Sequence, residues 1–423
     1  LISPFHLNPV NLFIKNISQL VTVSANGKRT KTGKEMREIG MIENAGVLCE
    51  QGKIKWVGPM NKWGRKLTPE IAEVDASGKV VLPGFVDSHT HMMFAGSRAH
   101  EFGLRSEGAT YQQIAEQGGG ILNTIAHVRK ATKRELKRAT GRHLLDLLRH
   151  GTTTVEIKSG YGLDVDSEIK MLEGINELKE EEIIGIVPTF IGAHAIPPEF
   201  RLNHEGYVDL VLRRMIPYVG KKKLAAFCDV FCEKGFFDLQ QSEQILSEAK
   251  KHGMALKVHA EELTPLGGAE LAGRLGAASA DHLEHITDKG IAALKAGNVV
   301  ATVLPGVSLF LNHGYAPARK LIDAGVAVAI ASDFNPGSCM SFSMPLMMTI
   351  ACTQMHMTTE EAITAATLNG AAALNMSDTV GSIEVGKQAD LIVANIPDYR
   401  YLAYHFGTNH VSMTIKNGTI LEL

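Results

Sequence analysis

Four stretches of this chain pair apolar, β-branched runs with side chains that can hold a metal ion or carry a proton. Phe85-Val leads into Asp87-Ser-His89-Thr-His91, and Met254-Ala-Leu-Lys-Val leads into His259-Ala-Glu-Glu262. Ser279-Ala leads into Asp281-His282, and Val326-Ala-Val-Ala-Ile-Ala leads into Ser332-Asp333-Phe-Asn335-Pro-Gly337. On a strand, side chains two apart share a face, so His89 and His91 can reach one point. Imidazole and carboxylate are donors suited to Zn2+ or Fe2+, and three or four of them leave a position for water. A lone His-x-His pair is also what a half-buried strand carries, and a lone Asp at a strand end is commonly a helix N-cap. Such donors recurring at several separate strand ends are a stronger pattern. They predict a metal site on His89, His91, His259 and Asp333.

Such donors converge only if the strands lie side by side. Eight runs qualify, beginning at Phe85, Thr152, Ile184, Ala226, Met254, Ser279, Val299 and Val326, with helix-like segments between them, for example 133–149 and 242–251. Alternating strands and helices predict parallel βα units, and eight of them predict an α/β chain with a (β/α)8 TIM barrel whose site lies at the C-terminal strand ends. A doubly wound sheet is the alternative, but no Gly-x-Gly-x-x-Gly opens a helix after a strand. Gly118-Gly-Gly120 follows no strand and is a candidate lid or anion-binding loop. Both ends of the chain read as short strands, including a hairpin over 46–58 turning near Gln51-Gly52 and a turn at Asn417-Gly418. The economical organisation is a small β-sandwich domain assembled from residues 1–81 and 381–423, flanking a barrel over 82–380.

Composition narrows the partners. The 423 residues carry 43 Lys+Arg against 45 Asp+Glu, with 45% hydrophobic and 21% charged residues. This balance excludes disorder, collagen and coiled coil, and argues against a polyanion-binding surface, so nucleic acid is not an expected partner. Five cysteines without a Cys-x-x-Cys pair suit a reducing compartment. Cys228 and Cys232 share a face of one apolar run and are read as packing. No apolar run approaches the ~18 residues of a membrane span. The opening Leu1-Ile-Ser-Pro-Phe-His lacks a basic stretch followed by an apolar one, so the cytoplasm is expected.

Beyond these patterns, Pro83-Gly-Phe-Val-Asp-Ser-His-Thr-His91 resembles the first-strand signature of the amidohydrolase superfamily, and Gly381-Ser-Ile-Glu-Val-Gly-Lys-Gln-Ala-Asp-Leu-Ile-Val393 its return into a small β-sandwich. Within it, Phe94-Ala-Gly-Ser-Arg98, Glu101-Phe102, Gly118-Gly-Gly-Ile121, Glu156-Ile-Lys-Ser-Gly-Tyr-Gly-Leu163, Gly192-Ala-His194, Ser279-Ala-Asp-His-Leu283 and Asp333-Phe-Asn-Pro-Gly-Ser338 are similar to the imidazolonepropionase family. The resemblance implies hydrolysis of 4-imidazolone-5-propanoate to N-formimidoyl-L-glutamate, one Zn2+ or Fe2+/Fe3+ ion per chain on His89, His91, His259 and Asp333, and a homodimer. It places substrate contacts on Arg98, Tyr161, His194, Glu262, Asn335, Gly337 and Ser338. Ser332 and Ser338 stand where the family often has Thr, which keeps each hydroxyl. Asp333 is expected as general base, His282 to orient water or polarise the carbonyl, and Glu262 to hold a ring N–H or shuttle protons. Lys158 is read as an unmodified structural lysine, and His127, His143, His150, His252 and His285 as ordinary residues of helical stretches. A related cyclic-amide hydrolase or a heterocycle deaminase would use the same rim, and a deaminase would need no anion clamp. A scaffold that had lost catalysis would be expected to have lost ligands.

Overall fold

The computed structural model describes residues 11–109, 113 and 119–421. The opening hexapeptide and Gly118 lie outside them. Five strands come first: β1 (Asn11–Val21), β2 (Met41–Glu50), β3 (Lys53–Pro59), β4 (Ile71–Asp75) and β5 (Val80–Pro83). The β2–β3 hairpin turns at Gln51-Gly52, both with positive φ, as a tight two-residue turn requires.

Eight parallel strands follow: β6 (Phe85–Asp87), β7 (Thr152–Lys158), β8 (Gly185–Ala193), β9 (Phe227–Cys232), β10 (Ala255–Ala260), β11 (Ser279–His282), β12 (Val300–Val303) and β13 (Val328–Ile330). They neighbour one another in chain order. Helices cover the outside and side chains fill the bore, so these strands are buried almost throughout and read as continuous apolar runs. The seam between β13 and β6 is closed by the segments just beyond them. Asp333 N–H donates to His89 O at 3.0 Å, and His91 N–H donates to Phe334 O at 3.1 Å. Barrel closure therefore sets His89 and His91 beside Asp333.

Local sequence places the covering helices. Helix Lys133–Arg149 starts at Thr132, whose side chain and Glu135 form a capping box, a device worth about 1 kcal/mol. Leu136, Leu144, Leu147 and Leu148 recur at helical spacing and are its buried face. Asp238 caps helix Leu239–Lys251 in the same way.

After the barrel come β14 (Leu391–Ala394), β15 (Val411–Lys416) and β16 (Thr419–Leu421). β14 pairs antiparallel with β5, giving the sheet order β16-β15-β14-β5-β1-β2-β3, with β4 parallel to β1. Both ends of the chain thus build one mixed sheet, as expected. Ile54 N–H donates to Lys387 O at 2.9 Å, so the β3 edge meets the segment leading into β14. The sheet thereby curls around its own apolar cluster, which includes Leu12, Ile14, Val47, Val81, Leu391 and Ile415.

Two of the remaining histidines depart from expectation. His285 lies in a turn, because the next helix starts only at Asp288, capped by Thr287. His143 is on a helix but half-buried, stacked 5.5 Å from Phe94 and edge-on 5.0 Å from Phe334 under the rim.

Candidate active site

The C-terminal ends of β6, β10 and β13 bring His89, His91, His259 and Asp333 together, all buried. His91 Nε2 lies 3.2 Å from His259 Nε2. Asp333 Oδ1 lies 3.6 Å from His89 Nε2 and 3.8 Å from His91 Nε2. Neither His89 Nε2 nor Asp333 Oδ1 has a hydrogen-bond partner, although buried polar atoms are almost always paired. Burial first, and then neighbouring positive charge, keep His89 and His91 well below the ordinary imidazole pKa and therefore neutral. Neutral imidazoles and an unpartnered carboxylate oxygen turned to one point fit a divalent cation. His89, His282 and Asp333 form a second grouping of donors about the same place.

Beneath these donors the bore holds charge instead of apolar layers. His89 Nδ1 donates to Asp281 Oδ2 at 2.7 Å, and His259 Nδ1 makes a close but bent contact with Asp229 Oδ2 at 3.0 Å. Each contact fixes a tautomer that leaves Nε2 facing the site. Lys158 Nζ reaches Asp229 at 2.7 Å and Glu156 at 2.8 Å. Lys257 Nζ reaches Ser88 O at 2.7 Å, Glu156 at 3.0 Å and Asp281 at 3.4 Å. Burial opposes the charge on Lys158, but Asp229, Glu156 and Asp281 outweigh it and hold the ammonium protonated well above its usual range. Lys158 is thus a buried lysine held in ion pairs.

The walls carry the other expected residues. His194 stacks on His91 with centroids 4.6 Å apart and pairs through Nδ1 with Gly160 O at 3.0 Å. Burial, with the charge of His259 adding, lowers its pKa to about 3. Tyr161 lies 5.8 Å from the His91 ring and 5.5 Å from His194, and burial pushes its phenol well up. Across the site, His282 sits at φ 80° and Leu283 at 73°, backbone strain worth about 1–3 kcal/mol each of the kind that gathers at functional sites. His282 Nε2 is 3.6 Å from Glu262, whose carboxyl burial pushes up to about 8, with the Glu233 charge adding. Glu284 lies 3.9 Å from His282 Nδ1.

The loop after β13 meets Arg98. A Cβ on Gly337 would lie 2.1 Å from Arg98 Nη1, so only glycine leaves room for the guanidinium. Asn335 spends its whole amide inside this loop. Nδ2 donates to Asp333 O and Ser338 Oγ, and Oδ1 accepts from the Gly337 and Ser338 amides. Ser338 Oγ lies 3.5 Å from Asp333 Oδ2. Gly120 N–H is likewise committed, to Glu101 Oε1 at 3.1 Å, so the described end of the glycine run binds protein rather than an anion.

Sequence reasoning did not single out Asp229, Lys257, Glu284 or Arg105, and it assigned no task to Asp281 or Glu156. A signal was present in Glu156/Lys158 and Lys257/His259, charged or polar pairs at period two inside apolar strands.

Comparison with known proteins places this geometry in a family. A sequence model described as the amidohydrolase family matches residues 80–421. An imidazolonepropionase of Porphyromonas gingivalis W83 is 48% identical over 414 residues, 97% of each chain. One of Clostridium tetani is 47% identical over 412 residues, 97% of this chain and 98% of its own. Among solved structures, a triazine hydrolase variant superposes with a TM-score of 0.74 at 18% identity, covering 97% of this chain and 94% of its own. An adenosine deaminase from Xanthomonas campestris with bound zinc gives 0.70 at 19%, covering 98% and 93%. These two share the fold. With its barrel, its rim of histidines and aspartate, and relatives matched almost end to end, the chain belongs to the amidohydrolase family, among its imidazolonepropionases.

Proposed function

We propose that this chain hydrolyses the ring amide of 4-imidazolone-5-propanoate to N-formimidoyl-L-glutamate, a step of histidine degradation. The observation that carries the reading is one rim holding both a metal-ready donor cluster and an arginine seated against Gly337. One ion per chain, Zn2+ or Fe2+/Fe3+, is held by His89, His91, His259 and Asp333. When bound, such an ion supplies Lewis acidity and brings the pKa of water towards neutrality.

The chain's own residues do the rest. Asp333 takes the proton of the attacking water and passes it to the departing ring nitrogen. His282, kept neutral chiefly by burial, offers an N–H to the oxyanion that forms on the ring carbonyl. Glu262 holds its proton up to about pH 8, which suits a shuttle beside His282. Tyr161 and His194 flank the ring. Arg98 orients the tail carboxylate, with Gly337 and Ser338 shaping the floor and Asn335 bracing that floor from within. A stretch of 1–81 with 381–423 forms the supporting domain around a barrel of 82–380. Assembly as a homodimer in the cytoplasm completes the reading. The five cysteines are all free, which suits a reducing compartment, and no helix among the described residues is long and apolar enough to cross a membrane.

Elemental analysis of purified protein, followed by an assay with 4-imidazolone-5-propanoate, tests this directly. One metal ion per chain and ring opening to N-formimidoyl-L-glutamate are expected. Two ions per chain, or none after gentle purification, would count against the site, and an inert metal-loaded enzyme against the substrate.

A further inference from the structure

We infer that Arg105, not Arg98, supplies the net positive charge that recruits and holds the substrate's carboxylate, making it a further specificity-determining residue. This rests on the reading above, in which the substrate carries an anionic tail.

The argument starts from charge balance. Arg98 Nε donates to Glu101 Oε2 at 2.8 Å, and both side chains are largely buried. Glu101 is pinned in turn, because its Oε1 accepts from Gly120 N–H at 3.1 Å and from Asn123 Nδ2 at 3.3 Å. Arg98 and Glu101 are therefore a fixed, neutral pair. Its remaining N–H groups can orient a carboxylate, but the pair has little long-range pull on one.

Arg105 stands two helical turns further along, so it lies on the same side of helix Ala99–Ser106 as Arg98. Its Nη2 is 3.4 Å from Gly337 O, on the glycine that Arg98 also touches. The far side of its guanidinium rests over the Phe310 ring, 4.8 Å from the centroid, and Phe102 stacks on Phe310 at 5.3 Å. No carboxylate among the described residues lies within salt-bridge distance of it. Burial, and then the Arg98 charge beside it, make its own charge costly. Among the described residues, two guanidiniums converging on one glycine with a single acid between them leave one positive charge over. An anion bound at Gly337 would neutralise it.

The test compares metal-loaded wild type, Arg105→Gln and Arg105→Lys on 4-imidazolone-5-propanoate and on its uncharged tail amide, from low to high salt. For the acid, Arg105→Gln should raise KM roughly tenfold or more, the range for losing a charged hydrogen bond, with kcat falling far less. The salt dependence of kcat/KM should flatten. KM for the tail amide should stay put, and Arg105→Lys should keep the wild-type salt slope. Thermal melting of each variant checks that the helix is intact. An equal rise in KM for acid and amide, with a lower Tm, would reduce Arg105 to a prop for the helix and overturn the proposal. An unchanged KM and salt slope in Arg105→Gln, alongside a wild type that opens the ring, would overturn it and leave Arg98 as the sole clamp. A wild type inert towards both compounds would sink the proposed function instead. Glutarate binding, followed by calorimetry, would then decide the charge role: weakening in Arg105→Gln upholds it and equal affinity ends it.

Discussion

Around Leu12, Ile14, Val47, Val81, Leu391 and Ile415 the terminal sheet closes on apolar side chains, whereas the barrel closes on Glu156, Lys158, Asp229, Lys257 and Asp281. Both regions bury ion pairs, but the sheet's Lys416–Asp390 pair joins two adjacent strands and reaches no further. The barrel's set links β7, β9, β10 and β11 and ends on two of the histidines that face the site. Well-packed apolar residues in place of buried ion pairs are often neutral or stabilising. The barrel's charges are thus poorly explained by stability alone and well explained by what they hold in place. One region keeps the fold together, and the other aims donors.

The largest expected effect lies at the end of that aim. With metal content matched, Asp333→Asn should lower kcat about 10²–10⁴-fold, because an amide cannot take the water's proton. Near-normal kcat in a metal-replete variant would move the base to His282 or Glu262. Next comes a pair of substitutions that sets the two regions against each other. Lys158→Met takes from Asp229 its lysine partner and leaves Glu156 to Lys257 alone, and should cost about 3–5 kcal/mol. It should also weaken metal affinity about 10–100-fold, since Asp229 no longer steadies His259. Leu391→Ala in the terminal sheet should cost a comparable ~2–5 kcal/mol through its cavity, with metal affinity untouched. Denaturant melts and competition for zinc with a chelator read both quantities. Equal loss of metal affinity in the two variants would erase the distinction.

The smallest effect tests how the sheet is tied together. Glu384 accepts from Ala25 N–H and Ser24 Oγ and pairs with Lys387. Burial raises its pKa, but these bonds, with Ser382, outweigh it and lower the carboxyl to about 2. A depressed folded pKa gives stability that is present above the unfolded value of about 4.5 and is lost as pH falls towards 2. Glu384→Gln should therefore cost about 1 kcal/mol at neutral pH. The gap from wild type should close as pH falls through that window, without change in kcat.

The His89/His91 pair was legible because strand alternation is local: two residues apart means one face, whatever the rest of the chain does. His259 and Asp333 were legible as polar side chains closing apolar runs. Helix 133–149 was legible because its cap and its leucine spacing lie within the segment itself. The supporting charges were not, since Asp229 makes sense only beside Lys158 and His259, each on a different strand. Arg105 needs both a helix running from Ala99 and a loop more than two hundred residues away. His285 was misplaced for a smaller reason: Thr287 is the N-cap, so the helix starts after it.

The seam of the barrel has a mechanical consequence. The segments just beyond β6 and β13 are joined by bonds whose partners are His89, His91, Asp333 and Phe334, so three of the four residues that stitch the cylinder shut are ones proposed above to hold the ion. On the proposed ligand set, a cation there would work as a clasp across the join: parting the two edges would let go of the ion, and stripping the ion would loosen the edges. Under chelation, hydrogen exchange should quicken first at the amides of His91 and Asp333, while the opposite wall around β9 and β10 stays shut.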